Sequence, residues 1–132
     1  MCDPMQVSAL DVVDETFLAV PPARVAAAFA QPSRWRRWWP DLVLHMHDDR
    51  GAAGLRWRVT GAVTGSMEVW LEPMLDGTMV HYFLHAEVAD ASDEQLMRVS
   101  RQRRHAAKAV AFELKAELEA GRAAGEAPDA EQ

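Results

Sequence analysis

Between Leu42 and Val88 the chain passes through four segments in which apolar and polar residues alternate, separated by turns only a few residues long. A parallel crossover needs about a dozen residues, so such short connections force each segment to pair antiparallel with the next. Leu42 to His47 comes first and ends at Asp48-Asp49-Arg50-Gly51. In the second, Leu55, Trp57 and Val59 alternate with Arg56, Arg58 and Thr60. After a turn from Gly61 to Gly65, Met67, Val69 and Leu71 alternate with Glu68, Trp70 and Glu72. Beyond Pro73 and Asp76-Gly77, Val80, Tyr82, Leu84, Ala86 and Val88 share one face, and Met79, His81, Phe83, His85 and Glu87 the other. The period of two predicts a half-buried antiparallel meander.

The flanking segments supply what covers it. Val12 to Val20 reads as a strand closed by Pro21-Pro22, and Ala23 to Ala30 as a short helix in which Val25 and Phe29 share a face. Pro32 ends that helix, and Ser33 is expected to cap a second one, Arg34 to Trp39, stopped by Pro40. A long helix is predicted from Asp93 to Glu119, closed by Gly121. At 100° per residue, Leu96, Ser100, Arg103, Ala107, Val110, Leu114 and Leu118 form one narrow stripe. Residues 1–8 are expected to be flexible, 9–121 to form a single domain, and 122–132, rich in Ala, Gly, Pro and acid, to be a disordered tail.

Composition excludes several classes. The chain has 132 residues, 49% of them hydrophobic, which suits one globular domain. Its net charge of −6 argues against a nucleic-acid binder. The apolar runs fall far short of the roughly 20 residues that span a bilayer, and no basic-then-apolar leader opens the chain. The single cysteine, Cys2, fits a reducing cytosol, and a cytoplasmic location is expected.

The order strand, two short helices, four strands and one long C-terminal helix is an α+β arrangement in which a curved antiparallel sheet wraps the last helix. At this point the residues resemble the SRPBCC superfamily of START-like, Bet v 1-like helix-grip domains, and its polyketide cyclase/dehydrase-like and lipid-transport-like bacterial members in particular. The matching parts are Val20-Pro-Pro-Ala-Arg-Val, Pro32-Ser-Arg-Trp-Arg-Arg-Trp-Trp-Pro-Asp41, Gly54-Leu-Arg-Trp-Arg-Val and Met67-Glu-Val-Trp-Leu-Glu-Pro73, with the basic start of the long helix. The resemblance implies a cavity between sheet and helix that holds a hydrophobic, lipid-like or polyketide-like molecule. A minority of such domains catalyse cyclisation or dehydration there. Five strands stand here against the family's usual six or seven, which leaves the depth of any cavity open.

Candidate site residues follow from the faces. Trp35, Trp38 and Trp39, at i, i+3 and i+4, share a helical face and either seal the end of the core or form a lid over the cavity mouth. Trp57, Met67, Val69, Tyr82 and Leu84 point inward from the sheet; they describe a mostly apolar pocket and equally a plain core. Arg103 sits mid-stripe with small Ser100 and Ala107 beside it. There it either reaches the sheet edge or a carboxylate such as Asp14, or offers its planar fork to a ligand carboxylate or phosphate. Tyr82, Arg103, Asp14 and Thr16 are the candidates for acid–base chemistry, with no motif behind any pair; no catalytic residue is assigned. His81 and His85, about 13 Å apart on a strand, cannot share a metal. His45 and His47 lack a third ligand, so neither a metal nor a cofactor is expected. A monomer or weak homodimer is expected, with Phe112, Trp70, Phe83 and Phe17 as outward-facing aromatics.

Overall fold

The computed structural model describes residues 7–120, which form five strands, three α-helices and one 3-10 turn. They run β1 (Val7–Leu18), α1 (Pro22–Phe29), α2 (Pro32–Trp38), β2 (Leu42–Asp49), the 3-10 turn Gly51–Ala53, β3 (Gly54–Gly61), β4 (Thr64–Met74), β5 (Gly77–Ala89) and α3 (Asp93–Leu118). One sheet holds all the strands in the order β1-β5-β4-β3-β2, every pair antiparallel. The meander stands, and β1 closes the far side by pairing with β5. Met1 to Gln6 and the tail beyond Ala120, where flexible ends are expected, lie outside the described residues.

Period two sets the two faces of the sheet. Leu10, Val12, Leu55, Trp57, Val59, Met67, Val69, Leu71, Val80, Tyr82, Leu84 and Ala86 are all buried on the inner face. α3 lies over that face, packed against β1, and buries Arg103, Ala107, Val110, Ala111, Leu114 and Leu118. Leu96 and Ser100, at the start of the predicted stripe, are only half-buried. Ser92 starts α3 with a capping box: its hydroxyl accepts from Gln95 N–H at 3.1 Å, and the Gln95 side chain accepts from Ser92 N–H at 2.8 Å.

Several boundaries differ from those expected. β1 begins at Val7 rather than near Val12, because the thirteen-residue β5 supplies a partner for every residue from Val7 to Leu18. α2 starts at Pro32 with Gln31 before it and no side-chain cap, so Ser33 is a helical residue and not the N-cap. Proline is pre-set for the first helical position, which places the start two residues earlier, at Pro32. The turn between β3 and β4 shrinks to Ala62 and Val63, and Val63 tucks into the core. β2 extends to Asp49 through a register shift between Met46 and Asp48 that leaves His47 unpaired.

Gly54 shows how closely β3 and β4 approach. It has φ +130°, and a Cβ there would sit 1.9 Å from the Val69 carbonyl oxygen. Gly54→Ala should therefore cost about 2 kcal/mol or more, through strain and displacement of the Val69 backbone. Urea unfolding against wild type measures this; an unchanged midpoint would show that β3 has slack.

Candidate functional site

The fold directs attention to the space between the inner sheet face and α3, and the side chains there largely fill it. Trp57 is fully buried at the centre of an aromatic cluster. Its ring centroid lies 5.7 Å from Trp35, 6.3 Å from Trp39 and 6.4 Å from Phe29. Trp38 joins through Phe29 at 5.6 Å and Trp39 at 5.5 Å. The tilted and edge-on angles are those that aromatic quadrupoles favour. Between sheet and helix a small cavity of about 20 Å³ remains, room for about one water molecule. Asp14, Thr16 and Tyr82 give its wall a polar side, and Phe29, Val80, Val110 and Leu114 are among its apolar lining.

Of the residues expected to bind a ligand, Tyr82 and Ala107 border this cavity. Trp39, Trp57, Met67, Val69, Leu84 and Arg103 are buried in the surrounding core, and Trp35 and Trp38 are half-buried against it. Leu18, Phe29, Val110 and Leu114 are lining residues outside the expected set; Val110 and Leu114 were already marked by the helical stripe.

Arg103 pairs with Asp41, not with Asp14. Asp14 is taken by Lys108, whose Nζ lies 2.8 Å from its carboxylate, and it accepts from the Thr16 hydroxyl at 3.1 Å. Asp41 reaches Arg103 because its own backbone is pinned: its carbonyl accepts from Ala62 N–H at 3.0 Å. Gly61, at φ +109°, permits the approach, since a Cβ there would lie 2.6 Å from that same oxygen. The Arg103 side chain is 7% exposed and that of Asp41 53%, so the pair runs from core to solvent.

Hydrogen bonding singles out three atoms. Trp35 Nε1 donates to the Phe29 carbonyl at 2.6 Å and Trp38 Nε1 to Glu113 at 2.7 Å. Among the described residues Trp39 Nε1, Trp57 Nε1 and Arg103 Nε are the buried side-chain polar atoms with no partner. Each such donor costs on the order of 1–3 kcal/mol, so three in one core need a reason. Tyr82 is a further donor: burial, offset only in part by the Arg103 charge, pushes its pKa upward, so it stays a neutral phenol.

α2 is clasped to α3 by pairs on the protein surface. Arg34 donates to Glu117 through both terminal nitrogens at 2.7 and 2.6 Å, and Arg37 Nη2 to Glu113 at 2.8 Å. These hydrogen bonds hold the Glu113 and Glu117 carboxyls below their ordinary pKa. Exposed pairs of this kind are worth about 0–1 kcal/mol each, so the clasp can open at modest cost.

A wider groove of about 610 Å³ lies on the opposite sheet face, where His47, Arg58, Thr60, Ser66, Phe83 and His85 are among its lining. Burial alone would raise the Glu68 carboxyl in its wall, but hydrogen bonds from Arg50 and Arg56 outweigh it and hold the pKa low. Trp70 stacks on His81 at 4.4 Å on this face. Among the described residues no cluster of three or more His, Cys, Asp or Glu could hold a metal ion, and no helix is long and apolar enough to cross a membrane.

With its single antiparallel sheet, the two short helices after the first strand and the long C-terminal helix, the chain has the helix-grip, Bet v 1-like fold. Among solved structures it is similar to Mll3558 from Rhizobium loti, at 21% identity over 83% of this chain and 99% of that one, with a TM-score of 0.64. It is also similar to the Aha1 dimer from Colwellia psychrerythraea, at 13% identity over 86% and 99%, TM-score 0.65. A third is CalU16 from Micromonospora echinospora, at 14% identity over 87% of each chain, TM-score 0.59. No family model and no curated protein matches the sequence.

Two outcomes test the site's electrostatics. Asp41→Asn leaves the Arg103 charge buried and uncompensated and should destabilise by about 2–3 kcal/mol, whereas Arg103→Met frees only a half-exposed carboxylate and should cost less. Urea unfolding of both variants checks the order; equal costs would mean that Asp41 does not compensate the charge. The clasp adds stability above the unfolded glutamate pKa and loses it as pH falls through the depressed folded values. Acidification below the ordinary carboxylate range should therefore loosen α2, seen as a change in tryptophan fluorescence that Glu113→Gln/Glu117→Gln shifts to neutral pH.

Proposed function

We propose that the protein binds a small hydrophobic molecule bearing an oxygen acceptor, held between the inner sheet face and α3. The observation that carries this is the set of three unpartnered buried donors, Trp39 Nε1, Trp57 Nε1 and Arg103 Nε, in a mostly apolar core. All are donors, so their complement is an acceptor such as a carbonyl or carboxylate oxygen, and the surrounding surface suits an apolar body. The Tyr82 phenol adds a donor on the cavity wall. The molecule would belong to the lipid-like or polyketide-like class, in keeping with a soluble cytosolic binding protein acting as a monomer or weak dimer.

A ligand of drug-like size occupies a pocket of roughly 300 Å³ or more, far above the 20 Å³ cavity, so binding requires α2 and α3 to part. The surface clasp of Arg34, Arg37, Glu113 and Glu117 joins α2 to α3 through exposed pairs of small individual worth, and its release would provide that opening. The enzymatic reading, a cyclase-type reaction at Asp14, Thr16 and Tyr82, draws only on their sharing one cavity wall. The small cavity itself favours a second reading, a non-enzymatic interaction domain with a reduced pocket.

Native mass spectrometry of the purified protein, followed by titration with dodecanoic acid and dodecanol, separates these readings. Binding of the acid should change tryptophan fluorescence, and Arg103→Met should weaken it by about tenfold or more while sparing the alcohol. If neither compound binds and no mass co-purifies, the interaction-domain reading stands in its place. If Arg103→Met leaves the acid's affinity unchanged, the donors do not recognise the headgroup.

A further inference from the structure

β1 is an edge strand, hydrogen-bonded to β5 on one side only. Its pairing with β5 runs from Val7 to Leu18 without a register shift, so main-chain groups alternate strictly between the β5 side and the open side. Side chains of α3 and of Glu119 just beyond it reveal which residues face outward. Lys108 Nζ donates to the Glu15 carbonyl at 3.4 Å, Lys115 Nζ to the Phe17 carbonyl at 3.2 Å, and Glu119 accepts from Ala19 N–H at 2.8 Å. The odd-numbered residues therefore face the open edge, and by the same alternation so do Ala9, Asp11 and Val13. No described side chain caps the main-chain N–H and C=O of these three. Val13 is 59% exposed, and the strand carries no proline or bulge here to blunt it.

Beside this uncapped stretch lies a groove of about 360 Å³, walled by Val13, Asp14, Arg101, Arg104, His105 and Lys108. Asp14 and Lys108 neutralise each other. Arg101, Arg104 and His105 make no ion pair among the described residues, so the groove is cationic in a chain whose net charge is −6. On the opposite face of the same strand stand the carboxylates of Asp11 and Glu15, each beside a histidine.

We propose that the open edge of β1 at Ala9–Val13 takes an extended acidic segment of a partner protein as an added strand. Main-chain hydrogen bonds to Ala9, Asp11 and Val13 would supply the pairing. The side chains of an added strand alternate between faces, so carboxylates at every second position would enter the Arg101–Arg104–His105 groove. The residues between them would face Asp11 and Glu15 and would be neutral or basic. A second copy fits poorly, because antiparallel pairing of β1 with itself brings two cationic grooves together and sets Asp11 against Asp11.

The probe is a short acetylated and amidated peptide of alternating glutamate and threonine, with an alternating lysine and threonine peptide as its control. Titration into the isotope-labelled full chain at low salt should slow hydrogen exchange at the amides of Ala9, Asp11 and Val13 for the glutamate peptide alone. Arg101→Glu/Arg104→Glu should weaken binding by about tenfold or more. Val13→Pro should do the same, since it removes a donor on the open side and leaves the ladder to β5 intact. Should that variant fail to fold, the charge reversal and the exchange pattern still decide. Equal binding of the two peptides, no protection at these amides, or full affinity in Val13→Pro would overturn the proposal. So would concentration-dependent self-association abolished by the same proline, which would give the edge to a second copy.

Discussion

The buried indole of Trp57 is where the sheet and the two short helices become one body. It stands on β3 and is met by Phe29 from the end of α1, Trp35 from α2 and Trp39 just beyond α2. A five-stranded sheet and one long helix alone would leave the β3–β4 end of the inner face uncovered, since α3 packs chiefly along β1. The aromatic cluster covers it. Large flat rings do this efficiently, because each buries up to about 150–250 Å² with few rotatable bonds. The same efficiency leaves little interior space, and a shortened sheet is thereby compatible with a packed core.

Filling a core with tryptophan carries a polar consequence. Trp35 and Trp38 lie where a carbonyl and a carboxylate can accept from them, whereas Trp39 and Trp57 lie too deep. Arg103 repeats the pattern within one side chain: its terminal nitrogen reaches Asp41 near the surface and its Nε does not. The interior is therefore well packed and poorly satisfied at once. A site selected for packing alone would favour phenylalanine and methionine at these positions, since they fill similar volume with no donor to bury. That contrast is what supports the proposed recognition role, whereas the small cavity volume argues the other way.

How much was legible in the sequence depended on range. Alternation around Met67, Val69 and Leu71, and around Val80, Tyr82 and Leu84, fixes which side chains turn inward, because strand periodicity is local. The stripe from Arg103 to Leu118 is local in the same way. The pairing of Arg103 with Asp41 spans 62 positions and depends on Gly61 and Ala62 holding the Asp41 backbone, which no periodicity encodes. Ser8 and Ala9 are weak strand formers, and only the length of β5 draws them into the ladder. Cavity volume is the least legible quantity, since it is a small difference between large packed volumes.

Range also explains how the charge is distributed. Two cations of α2 and two of the C-terminal part of α3 clasp elements together: Arg34 and Arg37 on α3, Lys108 and Lys115 on β1. Those on the exposed side of α3, Arg101 and Arg104, serve no such contact and lie where β1 runs out of side chains to cap it. An uncapped edge is a hazard that proteins ordinarily blunt, and charge is one means of doing so. A cationic margin repels another copy of itself but attracts a strand of opposite charge. The same two arginines therefore protect the edge from self-pairing and select what is allowed to reach it.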